Sequence, residues 1–204
     1  MQKTARFLAI GMTLGALIGP ACASQPEDRP ISSVPATTPG AYRKNISLIP
    51  IVKLGRTIHA HINKERTRSG LPTMRWDDAL ARIAAKHSAD MSSRKYFSHL
   101  SPERQGYAER YFKNNYACGI TVDGVLHRGA ENIFQFSLVP QNAGYDIKWN
   151  RDTPTRKEIA ESIIQRWMNS DVDRNNLLSP HWQRQGIGVS IGSDNSIYIT
   201  VNFC

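Results

Sequence analysis

No stretch of this sequence is long enough to cross a lipid bilayer, a span that needs about 20 predominantly apolar residues. One apolar run, residues 7–18, is too short and stands near the N-terminus. Lys3 and Arg6 precede this run, and Ala21-Cys22-Ala23 follows it as a small-residue cleavage pattern. This order is typical of a secretory signal peptide. We therefore predict that residues 1–23 are a signal peptide and that the protein is secreted or periplasmic.

Cysteine is scarce, with three residues in the chain. Lipidation of Cys22, which would anchor the protein to a membrane, is the alternative to plain cleavage; the Leu usual three residues ahead of a lipidated cysteine is missing. Cleavage would leave Cys118 and Cys204, and two cysteines in an exported protein predict one disulfide bond. Two free thiols are the alternative. Neither cysteine has an activating partner in the sequence, which disfavours a catalytic cysteine.

Acidic residues are too few to balance the basic ones. The chain has 26 Lys and Arg residues against 17 Asp and Glu residues, a formal net charge of +9. A basic surface favours contact with anionic envelope material such as phospholipid head groups or acidic polysaccharide. The basic residues are scattered, and no zinc-finger, helix-turn-helix or basic-region signature is present. We therefore expect no specific nucleic-acid partner.

After residue 23, composition and length divide the chain into a leader and one domain. Residues 24–41 are rich in Pro, Ser and Thr, which predicts a flexible leader, and residues 42–204 have the length of a single domain. Apolar periodicity predicts helices from Ile51 to a stop at Gly70 and over about 77–94, 104–113 and 155–168. Alternation predicts strands over 132–136, 186–191 and 197–203, the last two as a hairpin. This order favours the α+β class, with an antiparallel sheet packed between helices.

Six short phrases carry a family resemblance. They resemble the cysteine-rich secretory protein, antigen 5 and pathogenesis-related 1 superfamily (the CAP or SCP domain), in its bacterial secreted branch. The resemblance implies a three-layer α-β-α sandwich with a central antiparallel sheet. In family order the phrases are Ile62-Asn63-Lys64-Glu65-Arg66, Leu71-Pro72-Thr73-Met74-Arg75-Trp76-Asp77, Tyr96-Phe97-Ser98-His99, Ala130-Glu131-Asn132-Ile133, Trp167-Met168-Asn169-Ser170 and Gly186-Ile187-Gly188-Val189.

The resemblance also implies a cleft built around two histidines and acidic residues. His99 matches the first family histidine, and Glu131 matches the glutamate of the family's Gly-Glu-Asn phrase. Asp173 stands where the second histidine is expected, at the family's distance from Gly186. The family's second glutamate is missing, and Asn169 lies near its place. The predicted binding cleft is therefore His99, Glu131, Asp173 and Asn169.

Several family members bind zinc or another divalent cation in this cleft. A set of His99, Glu131 and Asp173 would be harder and more anionic than two imidazoles, which shifts preference from zinc toward manganese, magnesium or calcium. We expect no cofactor to be required, with such a cation as an optional ligand. The alternative is a hydrogen-bonded pair of His99 and Glu131 that braces two loops without a ligand. His87 is interpreted as a core histidine, and His181 as a loop histidine.

These observations favour a non-enzymatic extracellular or envelope binding domain whose ligand is a lipid, a glycan or a protein. We expect a monomer. The alternative function is a divalent-metal-dependent, peptidase-like hydrolase that uses His99 and Glu131 for acid–base chemistry. Neither a Gly-x-Ser-x-Gly elbow nor a His-Glu-x-x-His helix is present to mark an activated nucleophile or a zinc-peptidase site. The connection over residues 137–152 is a candidate lid or partner surface.

Overall fold

The structure, a computed structural model, describes residues 51–137 and 154–204. The predictions for the signal peptide, the leader and the start of the domain lie outside the described residues, as does the candidate lid beyond Ser137. Among the described helices, none has the length and apolar character needed to span a membrane.

The described residues form five helices and six strands. The predicted helices and strands are confirmed within a few residues. The structure adds a helix directly after the Trp167 phrase and three short strands, which the periodicity did not predict. In chain order the elements are α1 (Ile51–Arg68), β1 (Arg75–Trp76), α2 (Asp78–Arg94), α3 (Tyr107–Lys113), β2 (Ile120–Val122), β3 (Val125–His127), β4 (Ala130–Ser137), α4 (Arg156–Met168), α5 (Asp171–Leu178), β5 (Arg184–Ile191) and β6 (Ser196–Phe203).

Side-chain caps explain where three of the helices begin. The carboxylate of Asp77 accepts hydrogen bonds from the first-turn amides of α2. Thr155 and Glu158 form a capping box at the start of α4. Ser170 caps α5 by accepting a hydrogen bond from the amide of Asp173, at 3.4 Å. Each cap satisfies amides that have no partner within the helix, so local sequence determines these boundaries.

The main sheet has four strands in the order β1-β5-β6-β4. The pairs β5–β6 and β6–β4 are antiparallel, as predicted, whereas the two-residue β1 runs parallel to β5 at one edge. Helix α2 packs on one face against β5 and β6, and α1 packs on β5 from the other face together with α4 and α5. The result is the expected α-β-α sandwich. The strands β2 and β3 form a separate two-stranded ribbon.

The alternation in Gly186-Ile187-Gly188-Val189 lets both helical layers pack on β5. A Cβ on Gly186 would lie 2.1 Å from the amide nitrogen of Ala81 in α2. The intervening Ile187 and Val189 point the other way, into the buried apolar cluster that includes α1 and α4. The glycines therefore bring α2 close to the sheet, while their neighbours fill the main core.

Arg66 joins α1 to the end of α5 without any carboxylate partner among the described residues. Its side chain is fully buried. The guanidinium donates hydrogen bonds to the carbonyls of Pro72 at 2.9 Å, Leu177 at 2.8 Å and Ser179 at 2.8 Å. Burial lowers the pKa of Arg66 from its ordinary value. The carbonyls, which include one at the C-terminal end of α5, solvate the buried charge.

The predicted disulfide bond between Cys118 and Cys204 is present, with the two Cα atoms 5.7 Å apart. It ties the last residue of the chain to the loop that follows α3. The two cysteines are separated by 86 residues. The bond therefore closes a loop that contains β4, β5 and β6 together with α4 and α5.

Candidate functional site

Glu131 is the buried centre of the candidate site. It is the second residue of β4, at the edge of the sheet, and its side chain has no exposed surface. Glu131 pairs with Asn202 on β6, which in turn pairs with Gly186 on β5. The side chain of Glu131 therefore lies on the face of the sheet that α2 covers. Its Oε1 lies 2.9 Å from Nδ1 of His99, and its Oε2 lies 2.6 Å from Nη2 of Arg110. Both carboxylate oxygens are therefore engaged.

His99 lies in the loop between α2 and α3, with 51% of its side chain exposed. An ionised carboxylate can only accept, so Nδ1 of His99 is the donor in the hydrogen bond to Glu131. In the neutral ring this leaves Nε2 as an acceptor. Glu131 thus fixes both the orientation and the tautomer of His99.

Arg110, from α3, holds the carboxylate and the histidine loop together. Besides its bond to Glu131, its Nη1 donates to the carbonyl of His99 at 3.1 Å and to that of Gln105 at 2.7 Å. A buried carboxylate is costly unless it is paired, and the guanidinium supplies that pairing. Arg110 lies in none of the six family phrases, and nothing in the sequence marked it as a site residue.

His87, from α2, is a second imidazole at this site. Its side chain is almost completely buried, which agrees with its interpretation as a core histidine. Its Nε2 lies 3.1 Å from the carbonyl of Ser98, to which it donates, and 3.9 Å from Oε1 of Glu131. Burial lowers the pKa of His87, against the opposing effect of the Glu131 charge, so the ring favours its neutral form. Its proximity to Glu131 was not predicted.

Asp173 lies in the first turn of α5, and its backbone carbonyl accepts a hydrogen bond from Asn132 Nδ2 at 3.1 Å. Burial raises the pKa of its carboxyl group, whereas the hydrogen bond with Ser170 and the charge of His99 lower it. Asp173 is therefore close enough to His99 for the two groups to interact electrostatically. Asn169, the C-cap residue of α4, is exposed.

A cleft of about 470 Å³ opens between β4, the start of α5 and the loop before His99. Of the four predicted cleft residues, Asn169 and Asp173 line it, whereas His99 and Glu131 do not. Arg166 adds a cationic group to the lining. Much of the remaining wall is aromatic and comes from Phe97, Phe134, Phe136 and Trp167.

Trp167 and Asn176 close part of the free edge of β4. The indole Nε1 of Trp167 donates to the carbonyl of Ile133 at 3.1 Å. The amide of Asn176 donates to the carbonyl of Glu131 at 3.4 Å and to Oδ1 of Asn132 at 2.8 Å. Carbonyls at a sheet edge would otherwise be available to another chain. The tryptophan of the Trp167 phrase therefore has a structural role beside the cleft.

A metal site in a protein is a group of side chains that together ligate one ion. Within residues 51–137 and 154–204, no cluster of three or more His, Cys, Asp or Glu side chains has the arrangement needed to hold a metal ion. His99, Glu131 and Asp173 share one region of the molecule. His181 is exposed in the loop after α5.

Comparison with known sequences gives one family and distant relatives. The family model of the cysteine-rich secretory protein family (CAP) matches residues 59–203. Uncharacterized protein YkwD of Bacillus subtilis is 27% identical over 62% of this chain and 38% of its own length. Uncharacterized membrane protein YlbC of the same organism is 28% identical over 69% of this chain and 31% of its own length. The chain thus spans about a third of the length of these curated relatives.

Solved structures show the same architecture. An extracellular protein containing a SCP domain from Bacillus anthracis is 25% identical, with a TM-score of 0.54 over 84% of this chain and 44% of that one. An outer surface protein from Borrelia burgdorferi is 14% identical, with a TM-score of 0.54 over 74% of this chain and 91% of that one. The second similarity concerns the fold alone.

Proposed function

The chain belongs to the cysteine-rich secretory protein (CAP) family, and from this premise we propose that it is a non-enzymatic extracellular or envelope binding domain for a lipid, glycan or protein ligand. The disulfide bond supports an oxidising location. The Bacillus anthracis relative is described as an extracellular protein, which agrees with such a location.

The full engagement of Glu131 carries the proposal. A general base must lie within hydrogen-bonding distance of the proton it removes. Glu131 has no exposed side-chain surface, and its two oxygens are bound to His99 and Arg110 at 2.9 and 2.6 Å. Glu131 orients His99 and holds the loop between α2 and α3 in place, and both of these roles are structural.

The cleft beside this network has the composition of a ligand site. Small-molecule sites are concave, largely apolar and aromatic, with a few polar groups that fix orientation. Here the wall that includes Phe97 and Trp167 meets the polar groups of Asn169, Asp173 and Arg166. A ligand with an apolar portion and a hydrogen-bonding end fits this arrangement.

We infer that the donor set does not suit a divalent cation. Arg110 already neutralises Glu131, and a second cation beside the guanidinium would be repelled. Asp173 replaces the expected second imidazole, and among the described residues no group of three or more His, Cys, Asp or Glu side chains could hold a metal ion. The metal set of His99, Glu131 and Asp173 stays a prediction from the family resemblance.

Hydrolysis is the second candidate, and one observation favours it. The His99 ring is half exposed, and its Nδ1 is held by a buried carboxylate. A neutral imidazole held in this way can accept a proton from water through Nε2. This is the arrangement of a general base that a carboxylate orients. In this alternative His99 would be the base and Glu131 the residue that positions it.

Binding assays with matched variants separate the two functions. Oleate, an oligomer of N-acetylglucosamine and casein peptides are titrated calorimetrically into the oxidised protein. If the cleft binds ligand, Phe97→Ala weakens the binding of one probe by about tenfold, the cost of one lost aromatic contact. Val172→Ala is the control, since Val172 is exposed but does not line the cleft.

Cleavage of fluorogenic casein, with and without zinc or manganese, tests the alternative. Activity that falls by a factor of about 10² or more in both His99→Ala and Glu131→Gln would establish hydrolysis and overturn the binding proposal. Calorimetric titration of zinc and manganese, with Glu131→Gln as the control, tests the metal set. Micromolar binding that vanishes in the control would show that Glu131 is a ligand after all.

A further inference from the structure

One side of β4 has no strand beside it among the described residues. β4 is the last strand in the order β1-β5-β6-β4 and pairs with β6 alone. A strand at the edge of a sheet presents backbone amides and carbonyls that no neighbouring strand satisfies. Such an edge can take up an extended segment of another chain. Whether β4 can do so depends on which of its outward backbone groups are already bound.

The outward backbone groups of β4 belong to its odd-numbered residues. In an antiparallel pair, alternate residues direct their amide and carbonyl toward the partner strand or away from it. Arg184 and Cys204 exchange hydrogen bonds at 2.7 and 2.9 Å, so the even-numbered residues of β6 that precede Cys204 face β5. The odd-numbered residues of β6 face β4, and among them Ile199 pairs with Phe134. The backbone of Phe134 therefore bonds to β6, and that of Gln135 faces the free edge.

Side chains bind two of the outward carbonyls and leave Gln135. Asn176 donates to the carbonyl of Glu131, and Trp167 donates to the carbonyl of Ile133. Both contacts agree with the outward direction of the odd-numbered residues. On the free side of β4, the backbone amide and carbonyl of Gln135 bond to no other described residue. One donor and one acceptor are therefore available at this position.

The cleft of the proposed ligand site runs along this edge. Residues 133–136, which are consecutive in β4, all line it. Successive side chains of a strand point to opposite faces of the sheet, so a cavity that touches all four lies beside the strand. Its other walls come from both helical layers, because Phe97 follows α2 whereas Trp167 and Asp173 belong to α4 and α5. The cleft therefore lies between the layers, at the free side of Gln135.

The size and charge of the cleft suit an extended peptide. Residues 133–136 extend over about 10 Å at a rise of about 3.4 Å per residue, and the volume beside them is about 470 Å³. Arg166 lines the cleft, is exposed and forms no ion pair within the part of the chain that the structure describes. The guanidinium is therefore available to a carboxylate of the ligand.

We propose that the ligand of this cleft is an extended peptide of another protein, which adds a strand to β4 at Gln135. The inference rests on the proposed binding function and names its ligand class. The peptide backbone accepts a hydrogen bond from the Gln135 amide and donates one to the Gln135 carbonyl. Its side chains alternate between the walls at Phe97 and Trp167, and an acidic side chain pairs with Arg166. In this mode of recognition main-chain hydrogen bonds give affinity, and the alternate side chains give specificity.

Peptide binding to the oxidised full chain tests the proposal by fluorescence anisotropy. The probes are short labelled peptides in which valine alternates with threonine, with and without one glutamate in place of a threonine. We expect the glutamate peptide to bind more tightly, and Arg166→Met to remove this preference.

Methylation of the peptide amides tests for a backbone ladder. N-methyl groups on one set of alternate residues should weaken binding by about tenfold or more, because the methyl removes a donor and obstructs the added strand. N-methyl groups on the residues between them should have a much smaller effect. Equal effects of the two sets would show that the peptide binds through its side chains alone, which would overturn the proposal.

Two substitutions of Gln135 separate its amide from its side chain. Gln135→Pro removes both, and proline is tolerated where the amide of an edge strand faces outward. Gln135→Ala removes the side chain and retains the amide. We expect the proline variant to bind the glutamate peptide at least about tenfold more weakly than the alanine variant. Circular dichroism verifies folding, and the methylated peptides decide the matter if the proline variant does not fold.

Amide hydrogen exchange measured by NMR locates the added strand. The glutamate peptide should slow exchange at Gln135 by about tenfold or more, whereas the Phe134 amide, already bonded to β6, should be slow with and without peptide. Slow exchange at Gln135 in the free protein would mean that the edge is already occupied, and it would overturn the proposal.

The remaining outcomes separate this proposal from the binding function on which it rests. Failure of both peptides to bind would overturn strand addition alone if oleate or the N-acetylglucosamine oligomer binds and Phe97→Ala weakens that binding. Failure of all probes would overturn both proposals. A dimer in analytical ultracentrifugation that Gln135→Pro dissociates would assign the edge to a second copy of the chain and would also overturn the peptide proposal.

Discussion

Arg110 determines whether Glu131 can be buried. The guanidinium is bound to the carboxylate at 2.6 Å, and both side chains are largely removed from solvent. In the unfolded chain water solvates the negative charge of Glu131. In the folded protein Arg110, His99 and the nearby His87 take the place of that water. The loop that carries His99 is thereby tied to α3 and β4 through one charged cluster.

We predict that Arg110→Met destabilises the protein by about 3–5 kcal/mol, because it leaves a buried carboxylate unpaired. Adding Glu131→Gln to Arg110→Met should recover part of this loss, since the amide carries no charge. Urea denaturation measures both. Arg82→Met, on the exposed side of α2, is the control and should change the free energy of unfolding by less than about 0.5 kcal/mol. An unchanged free energy in Arg110→Met would contradict the pairing.

His87 gives the domain a predicted pH dependence. Burial lowers its pKa below the ordinary value of 6.5, so between the two values the unfolded chain binds more protons than the folded one. Stability is therefore complete above pH 6.5 and is lost as the pH falls toward the folded pKa. His87→Gln should flatten this fall in a series of urea melts from neutral to acidic pH. Parallel curves for the two proteins would contradict the prediction; His59, also with a lowered pKa, contributes equally to both.

At the scale of elements, the contact of α2 with β5 decides the thickness of one side of the sandwich. We predict that Gly188→Ala costs more than about 3 kcal/mol, because its Cβ would meet the Ala85 amide nitrogen at 2.0 Å. Gly55→Ala is the matched comparison. Its Cβ would lie 3.4 Å from the Ile187 carbonyl oxygen, an ordinary contact, and alanine favours the helix by up to about 1 kcal/mol.

The melting temperature and the yield of soluble protein are measured for both glycine variants. The yield still separates them if Gly188→Ala fails to fold. Equal melting temperatures for Gly188→Ala and the unaltered protein would show that α2 can move away from the sheet at little cost.

Arg66 makes the end of α5 depend on α1. We predict that Arg66→Met costs at least about 3 kcal/mol, because three carbonyls that surround the buried guanidinium lose their donor at once. Arg68→Met removes only an exposed ion pair with Glu65 and should change the free energy of unfolding by less than about 1 kcal/mol. Chemical denaturation of the pair measures the difference. Similar costs for the two substitutions would mean that the carbonyls find other donors.

For the whole molecule, the disulfide bond is the main covalent constraint among the described residues. Its two cysteines are 86 residues apart, and closing a loop of that size in the unfolded chain corresponds to about 4.6 kcal/mol. We predict a loss of this order in Cys118→Ser with Cys204→Ser, measured by denaturation. Reductant should destabilise the unaltered protein and leave the double variant unchanged. A reductant effect of equal size in both would show that the bond is not its target.

Local sequence was sufficient for the long elements. Asp77 is a residue type that favours an N-cap, and Thr155 with Glu158 has the spacing of a capping box, so local sequence agrees with the starts of α2 and α4. The alternation after Gly186 predicted β5. Helix α5 was missed because its eight residues include one buried apolar side chain, Leu177, which is too few for a periodic pattern. The short strands β1, β2 and β3 depend on pairing partners, which no local pattern reveals.

The candidate site divides in the same way. His99 and Glu131 were singled out by their phrases, and the structure places their side chains 2.9 Å apart. The positions of Arg110 and His87 around the carboxylate depend on how α3 and α2 pack. The sequence of neither helix indicates these positions. Without the position of Glu131, a sequence reading takes Arg110 for a surface residue and His87 for a core residue.

By itself, the sequence determined the family through the resemblance of its six phrases. It also determined the class of fold, the long helices and strands and the disulfide pairing, because caps, periodicity and cysteine number act over short distances or leave few alternatives. Only the tertiary structure decided that both oxygens of Glu131 are occupied, that Asp173 lines an aromatic cleft and that this cleft runs along the free edge of β4. These properties arise from groups far apart in the chain, and their energies depend on burial and distance, which exist only once the layers have packed.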